Sequence, residues 1–560
     1  MATWRGVVVV LMSRPVIGIF RLVLGGLMKT RFLATAFFSM LYILLCCPAY
    51  ALDGEPYIHD PSTVMECDGK YYTFGTGGGG LISEDGWTWH SGAVRPGRGA
   101  APDAIKIGDR YLVVYGATGG GLGGGHNGRI LTMWNKTLDP NSPDFEYSEP
   151  IEVASSNGIE DCDAIDPGLL LDPTDGRLWC CYGTYFGYIR LVELDPKTGA
   201  RVEGNKAVNI AIDCEATDLI YRDGWYYLLG THGTCCNGPT STYNIRVGRS
   251  KKVTGPYLDN MGMDMLRGGG KLVVAANGRC IGPGHFGLID LGDDVQKFSC
   301  HYESDLDRGG RSVLDVRGLL WKNGWPVAGE NFKGGTFEIE SEGSGYALEL
   351  GVEAVPIGGA RQGRMMRMGG NRGENRGGTR DGARGDTRGG TRGEAPGGAN
   401  AASARGMRGG MGMGGRGARG PVTPIPDQDV NEVSKNWPDG NIEIRMGDYM
   451  LQAHQKWTIT PVENVGGYLG SPYFKITVAG TDRALAATEE AEVVAVPAFT
   501  GQLEQLWRID QLTDGTYRIM PKVASEARDN LVLTAVGVTT PSLTAFDPNS
   551  DRGRWNFRKP

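Results

Sequence analysis

Between Tyr57 and about Gly329 the chain repeats one pattern: an acid opens an apolar run, a tight turn follows, and an aromatic run answers it. The openings are His59-Asp60-Pro61, Ala101-Pro102-Asp103, Ile165-Asp166-Pro167 and Asp213-Cys214-Glu215-Ala216. The turns are Asp68-Gly69 before Lys70-Tyr71-Tyr72, Gly108-Asp109 before Arg110-Tyr111, Asp175-Gly176 before Arg177-Leu178-Trp179, Asp223-Gly224 before Trp225-Tyr226-Tyr227, and Asn323-Gly324 before Trp325. Each is a hairpin signal, because Asn, Asp and Gly tolerate the positive φ that a two-residue hairpin turn imposes. Units of roughly 50 residues holding about four short strands each predict propeller blades, and five units predict five of them. A two-sheet sandwich also has short strands, but nothing in it makes an acid recur with the hairpin at this spacing. Acids at equivalent points of successive blades converge on the propeller axis, so the repeat that sets the fold also gathers carboxylates.

At 560 residues the chain is expected to hold two or three units. Its formal charge of −7 speaks against a nucleic-acid binder. The 89 glycines and the many Trp and Tyr residues suit short strands, turns and a carbohydrate-facing surface better than helical bundles. Two apolar stretches open the chain, Val7 to Leu27 broken by Arg14 and Arg21, and Phe32 to Cys47 preceded by Lys29 and Arg31. The second ends at Ala49-Tyr50-Ala51, a small-x-small cleavage site. Residues 1–51 therefore read as a signal peptide with Met28 a candidate initiator, and the apolar run is short for a membrane span. The mature chain is expected outside the cytosol, periplasmic or extracellular, without a stable membrane span.

Of the 11 cysteines, Cys46 and Cys47 fall in that signal. The others show no Cys-x-x-Cys pair and no His at ligand spacing, which excludes the common zinc patterns. The adjacent Cys235 and Cys236 stand either as a vicinal disulfide or as two thiols. Gly77 to Gly80 and Gly119 to Gly125 lack the Lys-Ser/Thr ending of a phosphate loop and read as long loops near the cleft.

From Arg361 to Gly420 the composition turns to Arg, Gly and Met, as in Arg384-Gly385-Asp386-Thr387-Arg388-Gly389. Such a segment cannot bury a core, so residues 360–425 read as a disordered basic insertion. On an exported chain it serves as a solvated linker or a contact for acidic polysaccharide or envelope surfaces rather than for RNA. Around it runs a threefold repeat: Phe337-Glu338-Ile339 with Tyr346 to Leu350, Phe474-Lys475-Ile476 with Arg483 to Ala487, and Tyr517-Arg518-Ile519 with Leu531 to Ala535. The copies close on Gln455-Lys456-Trp457, Gln505-Leu506-Trp507 and Gly553-Arg554-Trp555, the last without its Gln. A threefold repeat ending in Gln-x-Trp resembles the ricin-type β-trefoil lectins. The expected plan is all-β: a five-bladed propeller over 52–330, then a β-trefoil over 331–560 whose first repeat the Arg/Gly segment interrupts.

Within the propeller region the motifs become specific. Ala164-Ile165-Asp166-Pro167, Cys181-Tyr182-Gly183-Thr184-Tyr185-Phe186-Gly187-Tyr188-Ile189, Ser241-Thr242-Tyr243-Asn244-Ile245-Arg246-Val247-Gly248-Arg249-Ser250, Thr254-Gly255-Pro256-Tyr257 and Ile281-Gly282-Pro283-Gly284-His285 occur in this order. Together they resemble glycoside hydrolase family 43, in particular its endo-arabinanase branch. The resemblance implies cleavage of α-1,5-linked L-arabinofuranose chains with inversion and with no cofactor required for the chemistry. Asp60 matches the family's general base, Glu215 its general acid, and Asp166 the third carboxylate that raises and orients the acid. Elementary chemistry asks for the same set: one ionised carboxylate to activate water, one protonated carboxyl for the leaving oxygen, and roughly 6.5–9.5 Å between them. A neighbouring negative charge is what keeps such an acid protonated.

The resemblance further places Tyr185 and Phe186 at the substrate. His285 falls at an axial position beside an ion or a water cluster, and a structural calcium with mainly water ligands would support the site without generating the nucleophile. Asp103 lacks the tryptophan usual before its motif and is expected as a structural or substrate-binding acid. Glu215 sits in Cys-Glu-Ala-Thr where the family usually shows Glu-Ala-Pro, and Asp163 stands where it usually has Asn. The implied partner is a plant-type polysaccharide, arabinan or the side chains of pectin, met by a monomer. Two other readings compete: an exo-acting arabinofuranosidase or xylosidase of the same family, and a propeller that binds carbohydrate without turnover.

Overall fold

The computed structural model describes residues 52–95, 99–117, 127–156, 163–352, 428–522, 530–537 and 539–560. The expected signal peptide at 1–51 and the Arg/Gly-rich segment at 360–425 lie outside the described residues, as do Gly119 to Gly125 and Cys162. Among the described residues no helix is long and apolar enough to cross a membrane.

From Asp53 to Ala328 the chain forms five antiparallel sheets that follow one another in sequence, over residues 53–94, 100–155, 168–212, 215–274 and 280–328. Each is a four-stranded meander, and the first gains an outer strand where Asp53–Gly54 pairs in parallel with Thr88 and Trp89. These are the five blades. Asp68-Gly69, Asp223-Gly224 and Asn323-Gly324 have positive φ at both residues, 53° and 76°, 51° and 77°, 55° and 71°. They join directly paired ends, Cys67 with Lys70, Arg222 with Trp225 and Lys322 with Trp325. That is the type I′ turn, whose twist matches the strands it connects. Gly108-Asp109 takes positive φ only at Gly108 (64°), and Asp175-Gly176 closes a longer turn between Leu171 and Leu178.

The first strand of each blade faces the axis, where Thr63, Met65, Ala104, Leu170, Leu219 and Leu288 line a cavity of about 250 Å³. Neighbouring blades bury apolar layers between them, for instance Leu112, Val114 and Ile130 against Leu169, Leu178 and Tyr182. The ring closes through the fifth blade: Leu314 N–H donates to Pro56 O (2.8 Å) and Ser312 Oγ to Ile58 O (2.8 Å).

Beyond the propeller, six strands close into a barrel: Gly335–Ser341, Trp457–Pro461, Phe474–Val478, Trp507–Gln511, Tyr517–Pro521 and Trp555–Arg558. Three hairpin pairs cap it, Ala347–Leu350 with Ile442–Gly447, Ala484–Ala487 with Val493–Val496, and Leu531–Val536 with Thr540–Ala545. This is a β-trefoil. Trp457, Trp507 and Trp555 are fully buried, and their indole N–H groups donate to Leu348 O (2.7 Å), Leu485 O (3.0 Å) and Leu533 O (2.8 Å). The threefold sequence repeat is thus a threefold hydrogen-bonding role. Residues 353–427 fall in sequence between the two strands of the first hairpin pair.

The two regions meet through an apolar cluster, in which Leu469 of the trefoil packs with Leu52, Trp87, Trp89 and Val316 of the propeller, and through charge. Lys297 of the fifth blade donates to Leu469 O (2.6 Å) and lies 3.7 Å from Asp510, which also holds Arg508 and Arg518. Arg554, beside the glycine that replaces the third repeat's Gln, pairs with Asp294 of the propeller (2.6 Å) and with Asp514 (2.7 Å).

Candidate active site

At the axial start of every blade one residue has positive φ: Asp60 (53°), Ala101 (45°), Asp166 (53°), Ala216 (44°) and His285 (61°). A non-glycine residue held there costs on the order of 1–3 kcal/mol, so the surrounding fold must impose it. In the second, fourth and fifth blades it falls where the pairing of the first two strands slips, at Ala100/Asp103, Glu215/Asp218 and Gly284/Gly287. Such bulges re-aim side chains. They bring Glu215 and His285 to the pole of the axis where Asp60 and Asp166 already stand.

Asp60 is ringed by donors. Its Oδ2 accepts from Thr76 Oγ1 (2.6 Å) and lies 2.9 Å from His59 Nδ1. Its Oδ1 lies 3.7 Å from His285 Nδ1, and its backbone N–H donates to His301 Nδ1 (3.2 Å). Burial raises the Asp60 carboxyl, but His285, His59 and His301 outweigh it and hold the group well below the usual carboxylate range. Asp60 is ionised.

Glu215 is buried at 6% exposure and accepts a hydrogen bond from the Tyr243 hydroxyl. Burial pushes its carboxyl up, Tyr243 opposes, and the charges of Asp60 and Glu303 add to the rise, to about 7. Asp166 is likewise pushed well above the usual range, by burial and by the charges of Glu215 and Asp60, although Ala216 N–H donates to its Oδ2 (3.2 Å). The charges that bear most on Glu215 are therefore those of Asp60 and Glu303, while Glu215 itself bears on Asp166. The site holds one ionised carboxylate, Asp60, and a pair, Glu215 and Asp166, that retains a proton near neutrality.

Tyr185 lies close enough to Glu215 and Asp166 for their charges, after burial, to raise its hydroxyl. Its ring packs 4.5 Å from that of Phe186, which is 39% exposed. Asp103 is placed differently. It is 5% exposed, and its two oxygens accept Thr63 N–H (3.1 Å) and Leu169 N–H (2.9 Å), so it staples the first three blades together. Both oxygens are occupied, which favours the structural side of its expectation over sugar contact.

His59, Tyr243, His301 and Glu303 belong to the site and were given no role by the sequence reading. His301 and Glu303 share one face of the strand Gln296–Asp305, which is buried throughout. Titratable residues at i and i+2 mark them only once the burial of this strand is known, since its sequence is not an apolar run. His59 Nε2 lies 3.2 Å from Glu303 Oε1, and the two partners push the His59 ring, against its burial, up to about 10. Glu303 is held down to about 2, burial being outweighed by His301, His59 and the Cys236 N–H. Cys235 and Cys236 form a vicinal disulfide beside this group.

Two family models match the chain: glycosyl hydrolases family 43 over residues 59–326, and the ricin-type beta-trefoil lectin domain-like family over residues 453–535. An extracellular exo-alpha-(1->5)-L-arabinofuranosidase of Cellvibrio japonicus is 31% identical over 327 residues, covering 52% of this chain and 91% of that protein. An extracellular endo-alpha-(1->5)-L-arabinanase of Bacillus subtilis is 31% identical over 298 residues, covering 48% of this chain and 87% of that protein. Among solved structures, an exo-1,5-alpha-L-arabinanase from a bovine ruminal metagenomic library is 31% identical, covers 50% of this chain and 99% of its own, and has a TM-score of 0.45.

Proposed function

The chain belongs to glycosyl hydrolases family 43, and from that premise we propose that it is an exported, inverting endo-arabinanase acting on α-1,5-linked arabinofuranose chains such as the side chains of pectin. The observation that carries this reading is the split between two carboxyls on one axis: Asp60 held ionised by histidines, Glu215 held protonated to about 7 by burial and nearby negative charge. Asp60 takes a proton from water, which attacks the anomeric carbon from one side. Glu215 gives its proton to the leaving oxygen on the other. Asp166 anchors the backbone of Ala216 next to Glu215 and shares the proton-retaining environment. Tyr243 orients the Glu215 carboxyl, and the Tyr185–Phe186 pair offers aromatic faces to the sugar rings.

An axial ion at His285 fits only as a water-held one. Among the described residues the His285 Nδ1 is buried without a hydrogen-bond partner, and a carboxylate oxygen within ion-pair reach of it belongs to Asp60, whereas calcium takes six to eight oxygens. Such an ion would add positive potential beside Asp60, and no step passes through it. Linear arabinan sized over time tests the reading. Mixed short oligomers at early times are expected, whereas arabinose alone would replace the endo reading by an exo one. Activity surviving in Glu215→Gln would remove the proposed acid.

A further inference from the structure

The disulfide joining Cys235 and Cys236 stands at the outer end of a line of contacts that reaches Asp60. Cys236 N–H donates to Glu303 Oε1 (2.9 Å), and the same oxygen lies 3.2 Å from His59 Nε2. His59 Nδ1 lies 2.9 Å from Asp60 Oδ2. Each ring nitrogen of His59 thus faces a carboxylate, which both accept and cannot donate, so the ring carries two protons and bridges two anions. Its plane is fixed at both ends and packs 4.5 Å from the ring of His301. At the inner end the arrangement decides where Asp60 Oδ2 points. At the outer end it depends on Glu303, whose side chain is 3% exposed and whose anchor is the backbone of an exposed cysteine.

A bond between adjacent side chains closes a small ring around the Cys235–Cys236 peptide and restricts its backbone, and Cys236 is held at positive φ (59°). Without the bond, a non-glycine residue at that φ relaxes toward ordinary backbone geometry and swings its N–H away from Glu303. A buried carboxylate that loses a donor must find another partner or move. His59 is the neighbour that would follow it. The disulfide is also reachable: Cys236 is exposed and Cys235 half-buried, whereas Cys67, Cys180, Cys181, Cys214 and Cys300 are buried free thiols and Cys280 is a half-buried one.

We propose that Glu303 is a positioning residue for Asp60, acting through His59, and that the Cys235–Cys236 disulfide keeps Glu303 in place, which makes turnover sensitive to thiols. This rests on Asp60 being the base. A dithiol such as dithiothreitol supplies the two electrons and two protons that break the S–S bond. It leaves two cysteine thiols and closes into its own cyclic disulfide.

The full chain is assayed on linear arabinan before and after dithiothreitol, with kcat and KM separated. Reduction is expected to lower kcat by roughly tenfold or more, the scale of a lost hydrogen bond to a charged group, with KM changed less than about twofold. Cys235→Ala/Cys236→Ala should show the lowered kcat already and ignore the reductant. Glu303→Ala should lower kcat further. Glu303→Gln, which still accepts from Cys236 N–H and from His59, should recover part of that loss. Unchanged kcat on reduction, an equal response in the Cys235→Ala/Cys236→Ala variant, or a change in KM alone overturns the proposal. The melting temperature of each variant separates loss of fold from loss of positioning. Asp60→Asn in the same assay separates the two readings: if it keeps activity, the base assignment falls, whereas if it is dead and reduction is silent, only the positioning role falls.

Discussion

The propeller and the trefoil are both built by repetition, yet they use it in opposite ways. In the trefoil the equivalent positions stay equal: Trp457, Trp507 and Trp555 are each fully buried and each donate to a leucine carbonyl. In the propeller the equivalent positions diverge. The left-handed residue at the head of the blades is Asp60, Ala101, Asp166, Ala216 and His285 in turn. Identical residues at symmetric sites stabilise a barrel. Different residues at symmetric sites, held in strained backbone and aimed at one axis, make a reaction centre. The strain is tolerated because the blades around it are closely packed, so fold and chemistry are carried by different layers of one repeat.

The comparison breaks hardest at the acids. Asp60→Asn and Glu215→Gln each remove one half of the proton traffic and should lower kcat by roughly 10²–10⁴-fold with little change in melting temperature. Such a pair of results would mark the starts of the first and fourth blades as chemical rather than structural. Asp103→Asn is the control. It sits two residues beyond Ala101 and staples the first three blades, so it should cost stability before it costs turnover.

The next effect belongs to the trefoil. Trp507→Ala removes a fully buried indole and its hydrogen bond to Leu485 O, and should destabilise the barrel by about 3–5 kcal/mol in a urea titration. With the propeller untouched, turnover of a short arabino-oligosaccharide should persist at urea concentrations that unfold the trefoil. Simultaneous loss of both would mean that the interface has fused the two regions into one cooperative unit. Arg554→Ala measures the charged part of that interface. Its side chain is 7% exposed, but Asp294 and Asp514 are 37% and 47% exposed, so screening reduces the cost to about 1–2 kcal/mol, read as a shift in the same titration.

Much of this contrast is legible in the sequence, and the remainder fails for definite physical reasons. Asp-Gly and Asn-Gly announce the hairpins because the type I′ turn needs positive φ at both residues, and Gln-x-Trp announces the barrel because the indole has a fixed partner. Asp103 keeps two readings in the sequence because a blade start is readable to within a residue or two, whereas which way an acid faces depends on a bulge. The second blade's counterpart of Asp60 is Ala101, and Asp103 falls one step deeper, level with Asp218, the buried acid two residues beyond Ala216. Glu303 and His301 escape notice because their neighbours in space are 244 and 241 residues away in sequence, at His59 and Asp60. No local pattern encodes that meeting. Arg554 escapes for a similar reason: it looks like decay of a repeat and is instead a contact to the other region.

The smallest effect sharpens the contrast most, because it asks how finely the diverged positions are tuned. Glu215 must be protonated to act as an acid, and its carboxyl is raised to about 7, so kcat should fall as pH rises through about 7. Asp60 must be ionised and is held well below the usual carboxylate range, so the acid side should stay flat until pH falls beneath that range. Tyr243 donates to the Glu215 carboxylate and so favours its ionised form. Tyr243→Phe removes that donor while keeping the ring, which makes Glu215 harder to ionise. The alkaline limb should then move up, by roughly one pH unit, the equivalent of one hydrogen bond to a charged group. The acid side should not move, since Tyr243 has no contact with Asp60 among the described hydrogen bonds. A limb that moves down instead would mean that Tyr243 stabilises the protonated acid and adds to the rise that burial and the charges of Asp60 and Glu303 produce.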